Sequence, residues 1–212
     1  MEHDQYHLSP TFELYQFFEG PDFSLPPGWA QDIERIGRRF ARAIFFDGKS
    51  VTSRRPAGPA IMNARVDGEV IREQIGWLSE AYRGIFKTLA ESASHRKLVT
   101  SPSDREAINI NLLGSGDCTG KHVDTNHWSG LLFATGKGRD GGGELVLDGE
   151  SFQIQIPPIQ GMLIFFDGRR FAHSVNCFTG DGVRISVPMN YYYHDEPIER
   201  PGDLNRYLYG DE

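Results

Sequence analysis

The chain of 212 residues is 39% hydrophobic and 24% charged, and its formal net charge is -7 at pH 7. A chain of this length and composition accommodates one globular domain, so we expect a single domain over residues 1–212. The acidic balance, without any block of basic residues, argues against nucleic acid as a partner. The lack of an apolar run of about eighteen residues argues against a membrane-spanning helix.

The chain has two cysteines, Cys118 and Cys177, which are too few for a disulfide scaffold at this length. They therefore indicate a reducing compartment. The first residues, Met1 to Gln5, include no basic segment followed by an apolar run, so no secretory signal peptide is expected. The sequence thus predicts a cytoplasmic protein without a membrane partner, and it leaves the oligomeric state open.

The first half of the chain, residues 1–105, is predicted to be a helical support. Apolar residues recur at intervals of three and four from Ala30 to Phe46 and again from Glu69 to Lys97, as they do on one face of a helix. The segment 48–59 between them is rich in Pro, Gly, Ser and Arg, which predicts a loop. We expect the two helices to pack on one face of a sheet.

The second half, residues 106–195, is predicted to be a β-rich core. Short alternating or apolar runs are separated by Gly- and Asp-rich turns, a pattern typical of a sandwich or a jelly roll. The expected fold class is therefore α+β, with the helices covering one sheet. The predicted strands are Ile108 to Leu112, Leu131 to Ala134, Glu144 to Leu147, Phe152 to Ile156, Met162 to Phe166 and Arg184 to Tyr193.

Two histidines and one aspartate form a candidate metal site. On an extended segment His122 and Asp124 project to the same face, although such a pair often arises by chance. His173 follows the apolar strand that ends at Phe166, and a neighbouring strand would bring it to the same face. Two histidines and one carboxylate leave coordination positions open and are typical of non-heme iron(II) oxygenases.

An arginine in an apolar strand forms a candidate anion site. Arg184 and Ser186 share one face, opposite Ile185 and Val187. A buried arginine needs an anionic partner, and its guanidinium matches a carboxylate with two parallel hydrogen bonds. The far carboxylate of 2-oxoglutarate fits this role.

In the order and spacing of these motifs, the C-terminal half resembles the 2-oxoglutarate- and iron(II)-dependent oxygenase superfamily, specifically its prolyl-hydroxylase-like branch. The motifs are Leu112-Leu113-Gly114-Ser115-Gly116, His122-Val123-Asp124, Gly142-Gly143-Glu144-Leu145, Leu163-Ile164-Phe165-Phe166, His173-Ser174-Val175 and Arg184-x-Ser186.

The resemblance implies a double-stranded β-helix of the jelly-roll or cupin type. It implies that His122, Asp124 and His173 are the iron(II) ligands and the catalytic residues, and that Arg184 and Ser186 bind 2-oxoglutarate. Family members consume O2 and release succinate and CO2, with ascorbate as a possible additional factor. The N-terminal half resembles no family by its motifs.

Two positions refine the expected reaction. Halogenating relatives carry Gly or Ala in place of the carboxylate ligand, so Asp124 favours hydroxylation, or desaturation or cyclisation by the same chemistry. Prolyl hydroxylases usually carry a Tyr where Leu112 stands. The co-substrate would then need another hydrogen-bonding partner, such as Asn111 or Thr135, which argues against a prolyl substrate.

The sequence leaves other functions and the substrate open. His122, Asp124 and His127 could form a local zinc site of a hydrolase, or the barrel could bind ligands without catalysis. We expect a small-molecule substrate such as a free amino acid, with a peptidyl or protein hydroxylase as the alternative. The candidate substrate residues are Asn111 and Trp128, followed by Asn126, Arg54, Arg55 and Tyr191 to Tyr193.

Overall fold

A computed structural model describes residues 15–18, 22–43, 52–53, 64–136 and 141–199 of the chain. None of the helices in these ranges combines the length and the apolar character needed to cross a bilayer. The helices are α1 (Trp29–Phe40), α2 (Gly68–Gln74), α3 (Gly76–Ala81), α4 (Lys87–Ser94) and α5 (Asp104–Ala107), with a π-helical turn at Tyr82–Phe86 between α3 and α4.

The strands form two antiparallel sheets. The large sheet has the order β1-β11-β8-β13-β6-β4-β2, with β5 also paired to β13, and the small sheet has the order β10-β9-β12-β7-β3. The strands are β1 (Tyr15–Phe18), β2 (Arg42–Ala43), β3 (Thr52–Ser53), β4 (Ala64–Val66), β5 (Leu98–Thr100), β6 (Ile110–Gly114), β7 (Cys118–His122), β8 (Trp128–Phe133), β9 (Leu145–Asp148), β10 (Gln153–Ile156), β11 (Leu163–Phe166), β12 (Ala172–Val175) and β13 (Val183–Tyr193).

Alternation along the strands divides the interior into two cores. Leu131 and Phe133 of β8 pack with Leu145 and Leu147 of β9, so the two sheets face each other across an inner core. Leu132, which points the other way, belongs to an outer core between the large sheet and the helices. The outer core also contains Ile33, Ile71, Leu78, Ile185 and Val187. The fold is therefore a mixed α/β arrangement in which helices cover the large sheet, as the sequence predicts.

The N-terminal half departs from the predicted pair of long helices. The first helix ends at Phe40 and not at Phe46, because Arg42 and Ala43 pair with β4. The second predicted helix is interrupted at Ile75, whose φ of -141° is not helical, and again by the π-helical turn. Strands β1 to β5 also come from this half. Their partners lie far away in sequence, so local periodicity does not reveal them.

The two cysteines form a disulfide. Cys118 begins β7 and Cys177 follows β12, the strand paired with β7, so the bridge joins two neighbouring strands of the small sheet. The expectation of a reducing compartment was drawn from the cysteine count alone. Because the fold joins the two cysteines in a disulfide, their low number no longer supports a reducing compartment. The cytoplasmic location stays a prediction.

The disulfide generates a prediction for stability. The bridge joins residues 59 positions apart, and the loss of loop-closure entropy in the unfolded chain would favour the folded state by about 4 kcal/mol. We expect dithiothreitol to lower the midpoint of urea unfolding. The double variant Cys118→Ser/Cys177→Ser should unfold at the same midpoint with and without reductant. Equal midpoints for the wild-type chain in both conditions would contradict the prediction.

Candidate metal and anion site

His122 and His173 are direct cross-strand partners in the small sheet, on β7 and β12. His173 is also opposite Leu147 of β9, an inner-core residue, so both rings point between the sheets. The ring centroids are 4.2 Å apart. The strand pairing therefore accounts for the position of both imidazoles.

Backbone carbonyls orient the two rings. The Nδ1 of His122 lies 2.9 Å from the carbonyl oxygen of Gly120, and the Nδ1 of His173 lies 3.1 Å from that of Phe171. A carbonyl oxygen only accepts hydrogen bonds, so each Nδ1 carries the proton and donates. Each Nε2 is then left with a lone pair for a metal ion.

Asp124 completes the cluster from the turn after β7. Its backbone N–H donates to the Gly168 carbonyl oxygen at 2.8 Å, which fixes the turn against the segment between β11 and β12. Its carboxylate oxygens lie 3.6 Å from Nε2 of His122 and 3.5 Å from Nε2 of His173. One donor atom from each of the three residues lies within 4.8 Å of the others, so one cation could contact all three.

The electrostatics of the cluster favour an unprotonated carboxylate. Burial would raise the pKa of Asp124, but His173, His122 and a hydrogen bond from Ser129 outweigh it and lower the pKa. Burial and the neighbouring His173 lower the pKa of His122. Burial would also lower the pKa of His173, but Asp124 outweighs it and raises the pKa. The negative charge thus lies on Asp124, beside the two imidazoles.

A hydrogen-bond relay and a glycine hold the aspartate in place. Asn126 Nδ2 donates to Ser129 Oγ at 2.8 Å, and Ser129 Oγ donates to Asp124 Oδ2. A Cβ on Gly168 would lie 2.7 Å from Asp124 Oδ2 and would also collide with Ser129 Oγ. Only glycine at position 168 leaves room for the carboxylate in this orientation.

Arg184 is a buried cation between the two sheets, with 1% of its surface exposed. Its Nε donates to the Gly143 carbonyl oxygen at 2.7 Å and its Nη1 donates to Ser186 Oγ at 2.9 Å. Its Nη2 has no hydrogen-bond partner among the described residues. Burial lowers the pKa of Arg184 to about 10, and the negative charge of Glu144 acts in the opposite direction. A buried, incompletely satisfied guanidinium is suited to bind an anion.

Gly143 is part of the same anion site. Its φ of +74° is in the left-handed region, and a Cβ there would lie 2.8 Å from Cδ of Arg184. Glycine therefore allows the carbonyl of residue 143 to approach the guanidinium closely. Phe133 lines the other side, with its ring centroid 5.2 Å from the guanidinium carbon of Arg184.

Other predicted site residues lie in different environments. Among the described residues, the cluster suited to a metal contains His122, Asp124 and His173 and not His127. His127 is buried, with Nε2 3.0 Å from a carboxylate oxygen of Glu196 and its ring 4.9 Å from that of Tyr193. The local zinc site with His127 is therefore not formed.

The candidate substrate residues are divided between the two faces of the large sheet. Trp128 lies in the outer core on the helix-covered face, which does not favour contact with a substrate, and Tyr191 and Tyr193 lie in the same core. Asn126 is buried in the relay to Asp124. Asn111 stands opposite Ser186 on the inner face. Arg54 and Arg55 lie outside the described residues.

The position of Leu112 does not support the expectation that a missing Tyr at this residue affects co-substrate binding. Its side chain is buried in the outer core, and a Cβ on Gly37 of α1 would lie 3.3 Å from it. Leu112 therefore faces the helices and not the anion site, so a missing Tyr at this position does not bear on co-substrate binding. Thr135 Oγ1 accepts a hydrogen bond from the backbone N–H of Ile185, which gives it a structural role.

Sequence reasoning missed two residues of the site: Ser129 and Gly168. Ser129 could have been suspected as a hydroxyl within the otherwise apolar strand β8. Gly168 has no local signal, because its requirement comes from Asp124, a residue distant in sequence.

Comparison with solved structures places this architecture among known folds. No protein-family model matches the chain, and no curated protein matches it in sequence. A 2OG-Fe(II) oxygenase family oxidoreductase from Burkholderia pseudomallei is similar at a TM-score of 0.61 and 14% identity, over 89% of each chain. The chain has the fold of this oxygenase.

Two further solved structures have the same fold. A prolyl hydroxylase from Trichoplax adhaerens, in complex with a hypoxia inducible factor peptide fragment, is similar at a TM-score of 0.60 and 15% identity, over 85% of this chain and 84% of that one. The epimerase SnoN, in complex with Fe3+, alpha ketoglutarate and nogalamycin RO, is similar at a TM-score of 0.62 and 12% identity. The match covers 89% of this chain and 86% of the SnoN chain.

The close approach of Gly168 to Asp124 generates a prediction. In Gly168→Ala the new Cβ should displace the carboxylate, and the affinity for Co(II) or Fe(II) should fall by about tenfold or more, as is typical when the support of a ligand is lost. Isothermal titration calorimetry measures the change. The matched control is Gly84→Ala, because a Cβ at Gly84 has no atom within 4 Å. Equal metal affinities for the two variants would contradict the proposed geometry.

Proposed function

We propose that this chain is an iron(II)- and 2-oxoglutarate-dependent oxygenase with a double-stranded β-helix of the jelly-roll type. The observation that carries the proposal is the unsatisfied Nη2 of the buried Arg184, in the same space between the sheets toward which His122 and His173 point. A metal site alone would suit several reactions. A metal site together with a buried carboxylate-binding cation suits this co-substrate.

The donor set fits iron(II). Two imidazoles and one carboxylate are the donors of non-heme iron oxygenases, and they leave positions for the co-substrate and O2. Both rings are oriented by bonds from Nδ1, so Nε2 of His122 and of His173 would bind the metal. Ser129 would hold one oxygen of Asp124 and leave the other for the metal. A zinc hydrolase would leave the buried Arg184 without a role.

The pocket of Arg184 fits the far carboxylate of 2-oxoglutarate. The guanidinium would bind it as a fork, and Ser186 Oγ, already 2.9 Å from Nη1, would add a hydrogen bond. The anion would offset the cost of burying the cation, which lies over the Phe133 ring. With iron(II) and 2-oxoglutarate bound, the site would have the means to oxidise a substrate with O2, releasing succinate and CO2.

The proposed substrate is a small molecule such as a free amino acid, and the proposed outcome is hydroxylation. Asp124 supports hydroxylation over halogenation, because a carboxylate donor occupies the position that a halide would need. The side chains of His173, His122 and Asp124 are 8%, 22% and 23% exposed, which supports a recessed metal centre and favours a small molecule as the substrate. A peptidyl substrate is the second candidate, since the Trichoplax adhaerens relative was solved with a peptide fragment.

Co-substrate binding tests the proposal directly. Adding 2-oxoglutarate to the anaerobic iron(II) protein should produce a weak visible charge-transfer band. The affinity read from this band should fall by about tenfold or more in Arg184→Gln, because a buried charge-assisted pair is lost. His173→Ala should remove the band, and Ser186→Ala should weaken binding less than Arg184→Gln. Arg35→Gln, an exposed change on α1, is the control. An unchanged band in Arg184→Gln and His173→Ala would reject the proposal.

Turnover distinguishes the two substrate classes. We expect succinate release above the substrate-free level with at least one free amino acid or related small molecule, and none above that level with short peptides. The amount of succinate released is measured with each member of panels of amino acids, amines and peptides, and the panels are compared. Asp124→Gly should abolish the stimulated release. Stimulation by peptides alone would support the second candidate.

A further inference from the structure

The disulfide lies beside the anion site. Cys118 and Cys177 are both partly exposed, so a small reductant can reach the bridge. Cys177 is followed directly by Phe178, which is buried. A Cβ on Gly143 would lie 3.3 Å from the ring of Phe178 and 2.8 Å from Cδ of Arg184. The path from the bridge to the buried guanidinium therefore runs through one aromatic ring and one glycine.

Backbone hydrogen bonds join the segment 176–179 to the start of β7. The Gly116 N–H donates to the Phe178 carbonyl oxygen at 2.6 Å, and the Phe178 N–H donates to the Asp117 carbonyl oxygen at 2.9 Å. Both bonds lie next to the bridge, since Cys118 follows Asp117 in the chain. The covalent link and these two bonds together fix the segment against β7.

The same segment supports the turn that contains Gly143. On one side of this turn, the Asn176 N–H donates to the Glu144 carbonyl oxygen at 3.0 Å. On the other side, Thr179 Oγ1 donates to the Gly141 carbonyl oxygen at 2.9 Å. The carbonyl of Gly143 accepts the hydrogen bond from Nε of the buried guanidinium. The bridged segment thus sets the position of this acceptor.

The contact between Cys177 and the glycine turn is close. Gly142 has a φ of +80°, and a Cβ there would lie 2.3 Å from the carbonyl oxygen of Cys177. Closely packed groups transmit a displacement to their neighbours, because little empty space is left to absorb it. A shift in the backbone of Cys177 would therefore move Gly142 and, through the next residue, the carbonyl of Gly143.

We propose that the Cys118–Cys177 bridge is a reversible redox modification site that controls the affinity for 2-oxoglutarate. This proposal rests on the proposed function. The oxidised bridge fixes the segment 176–179, and with it the Gly143 carbonyl that orients Arg184. Reduction frees the segment, so the guanidinium is less well ordered and binds the carboxylate of 2-oxoglutarate more weakly.

The reductant that the bridge requires is a dithiol. One thiolate of the dithiol attacks a sulfur of the bridge and forms a mixed disulfide, and the other sulfur leaves as a thiolate that takes up a proton. The second thiol of the reductant then resolves the mixed disulfide. Two electrons and two protons pass to Cys118 and Cys177, which become thiols, and the reductant becomes a disulfide.

The test compares two redox states of the full-length protein. One sample is kept oxidised, and the other is reduced with dithiothreitol, which is then removed anaerobically. Each sample is loaded with iron(II) and titrated with 2-oxoglutarate, and binding is read from the charge-transfer band. Isothermal titration calorimetry gives the Co(II) affinity of each state, and circular dichroism checks that the reduced chain is folded.

We expect reduction to weaken the binding of 2-oxoglutarate by about fivefold or more, as is typical of coupling between two sites. The Co(II) affinity should change by less than about twofold, because strand pairing and Nδ1 hydrogen bonds hold His122 and His173 independently of the bridge. Reoxidation should restore the affinity for 2-oxoglutarate. Cys118→Ser/Cys177→Ser should bind it as the reduced wild-type chain does, with or without reductant.

Thermodynamic linkage supplies a second readout. If the oxidised protein binds 2-oxoglutarate about fivefold more tightly, saturating 2-oxoglutarate must lower the reduction potential of the bridge by about 20 mV, which is the same factor for a two-electron couple. The iron(II)-loaded protein is equilibrated with mixtures of reduced and oxidised dithiothreitol, with and without 2-oxoglutarate. Free thiols are then alkylated and counted by mass spectrometry. The chain has two cysteines, so the count reports on this bridge.

Several outcomes would overturn the proposal. These are equal affinities for 2-oxoglutarate in the two states, or a reduction potential that does not respond to 2-oxoglutarate, as a merely stabilising bridge would give. An equal loss of Co(II) affinity would also overturn it, because the bridge would then act on the whole site. Unfolding of the reduced chain in the assay would show a purely structural link. Failure of the proposed function looks different, because the oxidised wild-type protein would then give no charge-transfer band with 2-oxoglutarate.

Discussion

The pairing of β7 with β12 is the constraint on which the rest of the site depends. It sets His122 opposite His173, and the register with β9 turns both rings toward the inner core. Asp124 reaches the same point because its turn is bonded to Gly168, just past the end of β11. A shift of one residue in this register would direct the imidazoles to solvent. The Cys118–Cys177 bridge lies at the other end of the same strand pair and opposes such a shift.

The large sheet contributes a buried cation to the site, whereas the small sheet contributes imidazoles. Its inner face has the guanidinium of Arg184, whereas the small sheet and its adjoining turn have the two imidazoles and the carboxylate that could hold a metal ion. A cation as buried as Arg184 is costly unless its hydrogen bonds are satisfied. The Gly143 carbonyl and Ser186 hydroxyl satisfy two of its groups, and the remaining Nη2 has no partner among the described residues. The unsatisfied Nη2 leaves a hydrogen-bond donor for an anion, which is not expected of an arginine with a purely structural role.

The sequence predicted those features that depend on local alternation. The strands near the motifs, the shared face of Arg184 and Ser186, and helices over one sheet could all be read from spacing. Features that depend on distant partners were missed or misplaced. Trp128 and Ser129 are neighbours, and only the pairing of β8 decides which one faces inward. Arg65 meets Asn111 across 46 positions, and the cysteines meet across 59. Composition and periodicity contain no information on such contacts.

The separation of roles between the sheets has an evolutionary consequence. The candidate metal donors come from β7, β12 and the turn after β7, whereas Arg184 and Ser186 belong to the large sheet, together with Asn111 of β6 and Arg65 of β4. Substitutions on β4 would change the inner face of the large sheet without moving a candidate metal donor. Because β4 is only three residues long and lies near the sheet edge, its neighbours constrain it less than they constrain a central strand. Substitutions would therefore be tolerated first at this edge, while the three candidate metal donors stay in place.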